Sequence, residues 1–152
     1  MWPLYALFSA ISAALVAIFA KLGLKDIDPT LATTLRSLIM AAFLVVIAIA
    51  LGKFEHFALS DYSFRQWGLI VMAGIAGAVS WLFYFLALRD GNASAVAAID
   101  RLSLVFVVVL AALFLSEKIS FQVVIGAVLM SVGAILISLK PADLAKFWST
   151  FF

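Results

Sequence analysis

The sequence predicts an all-α membrane protein of five transmembrane helices. Three observations carry this. Five long apolar runs, Trp2–Ala20, Leu31–Leu51, Trp67–Leu88, Ala93–Leu115 and Ile119–Leu139, fill most of the 152 residues. At a helical rise of roughly 1.5 Å per residue, each is long enough to cross a hydrocarbon core of about 30 Å. Hydrophobic residues make up 67% of the chain and charged residues 12%, about half the charged share of a soluble domain. The connections between the runs are too short to hold a soluble domain. A backbone in lipid must satisfy its own hydrogen bonds, so the runs become helices.

The first run lacks the basic region and small-residue cleavage site of a signal peptide and reads as a retained helix. Lys21–Thr30 connects it to the second, and Asp28-Pro29 supplies a cap followed by proline at the first helical position. Gly52–Gln66 is the longest connection, with Lys53, Glu55, His56, Asp61 and Arg65. Its Ser63-Phe64-Arg65-Gln66 end fits a capping box that opens the third helix. Arg89-Asp90-Gly91-Asn92 forms a tight turn into the fourth helix, and Ser116-Glu117-Lys118 a turn into the fifth. Such short turns make neighbouring helices antiparallel. The transmembrane domain therefore covers residues 1–140. In the tail, 141–152, Leu144, Phe147, Trp148 and Phe151 share one helical face, which suits either an interfacial segment or a frayed end.

Lys and Arg are scattered at helix ends, and the net charge is only +2. No basic patch points to nucleic acid. Without Cys and with one His, the chain offers no thiolate or multi-His metal site. No nucleotide loop, Ser-His-Asp constellation or paired catalytic carboxylate occurs, so neither an enzyme nor a cofactor is expected. Lys21, Lys25, Arg36, Arg89, Arg101, Lys140 and Lys146 fall on one side of the membrane, and Lys53, Arg65 and Lys118 on the other. The positive-inside rule then places the amino terminus outside and the carboxyl terminus in the cytoplasm, and a prokaryotic plasma membrane is the expected location. A reporter fused after Phe152 is expected to be active only in its cytoplasmic form; activity confined to the outside would reverse the orientation.

Asp100 and Arg101 are the most informative charges. The uncharged stretch Leu102–Leu115 spans only about 21 Å, so the fourth helix must recruit the preceding alanine-rich turns and carry Asp100 roughly 10 Å into the membrane. The apolar residues from Val96 to Leu115 supply roughly −4 to −8 kcal/mol of insertion free energy, against about +5 to +7 for two charges at the midplane. Insertion survives, but a group this costly is a candidate functional residue. Asp100 either forms a structural ion pair with Arg36 or Lys21, or it binds a proton or substrate. Arg101 also suits snorkelling to the interface. Ser103 shares the Asp100 face, and Trp81 and Ser80 each share a face with Tyr84; these side chains are candidates to line a polar-aromatic cavity. Ser9 and Ser12 either add hydroxyls or bond to their own backbone. Gly77, Gly126 and Gly133 lie on small-residue faces that permit close helix packing, within the chain or across a dimer seam along the last helix.

These pieces resemble the EamA domain of the drug/metabolite transporter superfamily. The matching stretches are Trp81-Leu-Phe-Tyr-Phe-Leu-Ala-Leu-Arg89, Ala93 through Asp100-Arg-Leu-Ser103, Leu115-Ser-Glu117-Lys118, and Ile125-Gly126 through Gly133. Phe19-Ala-Lys21-Leu-Gly23, Asp28-Pro29 and Arg36 also fit. The Gly126/Gly133 spacing is similar to the dimerising last helix of small multidrug resistance proteins. The resemblance implies a secondary transporter of a metabolite or drug-like small molecule. Many members have two inverted five-helix repeats, whereas this chain has one, so a homodimer or an inverted homologous partner is expected to complete the transport path. The alternative is an assembly or regulatory subunit packed against a larger membrane protein.

Overall fold

The computed structural model describes residues 1–55, 57–58 and 61–139. His56, Lys140, Lys146 and the amphipathic face of the tail lie outside the described residues. Six helices are present: α1 (Trp2–Gly23), α2 (Pro29–Ala50), α3 (Phe64–Asp90), α4 (Ala93–Asp100), α5 (Ser103–Leu115) and α6 (Phe121–Ser138). With α4 and α5 counted as one run, five stretches are long and apolar enough to cross a membrane. The described residues contain no strand, and the protein is an all-α integral membrane protein. It divides into two compact units, Met1–Asp90 and Gly91–Phe152.

In the first unit, α2 and α1 both pack on α3. Both sequence-predicted caps form. The Asp28 carboxylate accepts from the backbone N–H groups of Thr30 and Leu31 at 2.9 and 3.0 Å, with Pro29 buried just behind it. Such a cap is worth about 1 kcal/mol. At α3, the Ser63 N–H donates to Gln66 Oε1 at 2.8 Å and the Gln66 N–H to Ser63 Oγ at 3.3 Å, the reciprocal capping-box pattern. Because this box sits at Ser63, α3 starts at Phe64, three residues before the predicted Trp67. At the other end of α3, the Lys21 ammonium donates to the carbonyl oxygens of Leu88 and Arg89. Those groups belong to the last turn, where no intrahelical donor remains and the dipole favours a cation.

The core of this unit gathers at one end. Leu24, Pro29, Thr33, Phe85 and Leu88 are buried, at the stop of α1, the start of α2 and the stop of α3. Most other apolar side chains face outward, as a bilayer allows. At the opposite end Phe54, Phe57, Tyr62 and Trp67 form a chain of ring contacts with centroids 5.8 to 5.9 Å apart, suited to the headgroup level where amphipathic rings settle.

In the second unit, α4 and α5 pack on α6. The buried face of α6 carries Ala127 and Ala134, with the Ser131 and Ser138 hydroxyls donating back to their carbonyls at 2.8 and 2.7 Å. Ser116 ends α5 with φ 55°, the left-handed position that closes many helices. The fourth run differs from the single helix predicted for it. Leu102, Leu104 and Val105 donate to Ile99, Arg101 and Leu102, three residues back, at 2.9 to 3.1 Å. This tightened 3₁₀ stretch separates α4 from α5 and coincides with Asp100 and Arg101, the charged residues of the run. Leu104 thereby passes over the Asp100 carbonyl. Short 3₁₀ stretches inside helices often mark functional hinges.

Candidate functional site

Arg36 is the centre of the site in the first unit. It lies seven residues into α2, about 10 Å from the helix start. Its guanidinium carbon stacks 3.8 Å above the Trp81 ring of α3 and 5.7 Å from the Phe85 ring. A cation over an aromatic face gains about 0.5–2 kcal/mol, the more so when water is excluded. Trp81, Tyr84 and Phe85 also contact one another, with Trp81–Tyr84 at 5.4 Å and Trp81–Phe85 at 6.2 Å, both edge to face. Trp81 and Tyr84 thus share a face, as their spacing predicts, and the stack holds Arg36 across two helices. Its Nη1 is sealed from solvent and has no hydrogen-bond partner among the described residues.

Arg36 opens onto a cleft of about 550 Å³, the size of a small-molecule site. Phe19, Leu24, Leu35, Ile39 and Phe85 form its apolar walls, and Arg36 is the charged residue of its lining. Nearby hydroxyls contribute nothing to it: Thr33, Thr34 and Ser37 donate to the carbonyls of Pro29, Thr30 and Thr33 in their own helix.

The other candidates take different places. Lys21 is engaged by the carbonyls that end α3. Arg89 pairs with its neighbour Asp90 at 3.2 Å. Asp100 ends α4, Arg101 sits in the tightened turn and Ser103 opens α5, all three exposed on the surface of the second unit. Ser80 is exposed, and Ser12 bonds back to the Phe8 carbonyl at 2.8 Å, the local alternative for that hydroxyl. Among the described residues, a Cβ added at Gly77, Gly126 or Gly133 would meet nothing within 4 Å. Among the described residues of their own units, no neighbour packs closely against these glycines.

Phe85 and the apolar cleft walls on α1 and α2 are candidate site residues that sequence reasoning does not single out. Phe85 follows Trp81 at i+4, a local signal that fits it to the same face. Leu24, Leu35 and Ile39 carry no local signal, because any lipid-facing residue has the same chemistry, and Phe19 enters the sequence reading only as part of a family-like stretch.

The sequence matches the EamA-like transporter family over residues 1–139. It is 36% identical over 137 residues to a Sinorhizobium sp. protein described as an uncharacterized transporter in the cobO 3′ region, and the match covers 90% of this chain and 96% of the relative. No solved structure matches the chain.

Proposed function

The chain belongs to the EamA-like transporter family, and from that premise we propose that it is a small secondary transporter of a metabolite or drug-like molecule, working by alternating access within a dimer. The observation that carries this reading is the 550 Å³ cleft with a stacked, incompletely satisfied guanidinium in its wall. In the second unit, Asp100 is a separate candidate, a carboxylate beside a tightened turn within a spanning run, suited to bind a proton or the substrate. Lys21, Trp81 and Tyr84 are further substrate-site candidates in the first unit, and Arg101 and Ser103 are candidates in the second. One five-helix repeat provides half of what alternating access between paired repeats requires, so a second copy or an inverted homologue supplies the other half. The unfilled spaces beside Gly126 and Gly133 on α6 favour that helix as the seam. The excess of Lys and Arg at one set of helix ends supports an outside amino terminus.

Reconstitution of the purified chain alone into liposomes tests the reading. Solute flux is expected from the wild type. Gly133→Leu is expected to lower flux by about tenfold or more and to raise the monomer fraction, since a lost packing contact of about 1.4 kcal/mol shifts an equilibrium tenfold. No clash with the chain accompanies its Cβ. Flux that appears only with a co-purifying membrane protein would assign the chain to a regulatory or assembly role instead.

A further inference from the structure

We propose that the Arg36 cleft selects an apolar organic monoanion, a molecule with a hydrocarbon or aromatic body and one carboxylate. This names the substrate class of the site and rests on the transporter reading above.

Three observations lead to it. The charge in the lining is positive, and the walls beside it are apolar. Nη1 has no acceptor among the described residues, while two acids of the same unit are committed elsewhere, Asp28 to the start of α2 and Asp90 to Arg89. The stack on Trp81 occupies one face of the guanidinium plane, Arg36 lines the cleft, and a planar acceptor that displaces the contacts sealing Nη1 would pair with it in the guanidinium plane. A carboxylate matches that plane with paired N–H···O bonds and supplies the missing counter-charge. Phe19, Leu24, Leu35 and Ile39 receive the body of the ligand. A cation is repelled by Arg36. A phosphate or dicarboxylate brings a second charge that this lining does not neutralise, at a large desolvation cost.

The same chemistry is found in anionic lipids and in free organic acids. Arg36 lies about two helical turns, roughly 10 Å, beyond the start of α2, and the lipid arm of the test separates a free acid from an anionic headgroup.

The test is equilibrium binding to the full chain in phosphatidylcholine nanodiscs, with radiolabelled phenylacetate as probe and phenylacetamide and phenethylamine as neutral and cationic competitors. Phenylacetate is expected to bind at least about tenfold more tightly than phenylacetamide, the factor set by about 1.4 kcal/mol, and phenethylamine is not expected to compete. Arg36→Gln is expected to erase the preference, and Arg36→Lys to retain part of it. Ile39→Trp, which fills the cleft from an exposed position, weakens phenylacetate and phenylacetamide alike and tests the site even where the Arg36 variants fail to fold. The proposal is overturned by equal binding of acid and amide, by undiminished preference in Arg36→Gln, or by no phenylacetate binding to the wild type. Loss of binding when phosphatidylglycerol replaces phosphatidylcholine would give the cleft to lipid and equally overturn it. Liposome flux is scored separately: anion-selective binding without flux keeps the cleft assignment and removes the transporter reading, and flux without anion preference does the reverse.

Discussion

Asp100→Asn is expected to lower solute flux by about 100-fold or more, the factor that a lost charge-assisted contact of up to about 3 kcal/mol produces. Insertion and folding are expected to survive. The substitution keeps the size of the side chain and removes a charge that costs up to about 2.5–3.5 kcal/mol at the membrane centre, and less toward the edge. Asp100 is exposed at the end of α4, so no packed cavity opens. The backbone around it is held by the i→i+3 bonds of Leu102, Leu104 and Val105, none of which uses the carboxylate. Loss of function with normal membrane yield would separate a chemical role from a structural one. Asp100→Glu, which retains the charge, is expected to preserve measurable flux. Full transport by Asp100→Asn would remove Asp100 from the site.

Leu88→Ala carries the largest expected loss of stability. Leu88 is 0% exposed and lies in the last turn of α3, where its own carbonyl accepts from Lys21. In a water-soluble core a Leu→Ala change costs about 3–5 kcal/mol, part of it transfer free energy and part the cavity left behind. In a bilayer the transfer part shrinks, because lipid tails are as apolar as leucine. The cavity and lost dispersion contacts remain, for a cost of about 1–3 kcal/mol. Denaturation in detergent micelles by added dodecyl sulfate measures it. Leu113→Ala, at a position 71% exposed, is the matched control and is expected to cost little. Equal effects at both positions would mean that Leu88 is not part of a packed core.

How much was legible in the sequence differs by element. The caps at Asp28 and Ser63 form as their spacing predicts, because a cap depends on residues within one turn of each other. The Trp81–Tyr84 face follows from a spacing of three for the same reason. The fourth run was legible as a span but not as two helices, since its apolar composition is compatible with either and the tightening depends on backbone geometry at Asp100–Leu102. The candidate site was legible only in part. Arg36 and Trp81 stand out individually, but their stack joins residues 45 positions apart. Lys21 is conspicuous as a charge near the end of the first run, whereas its partners are backbone carbonyls of a different helix.

By itself, the sequence determined the solvent in which this protein lives, the number of its spans, the caps of α2 and α3 and its family, because each depends on composition, on short-range spacing or on overall similarity. Tertiary structure decided which side of each helix is packed, where Arg36 finds a ring, and that the cleft lies among α1, α2 and α3. The reason is the bilayer. In water a helix shows its buried side by contrast with a polar one, but in lipid both sides are apolar and only the contacts themselves distinguish them.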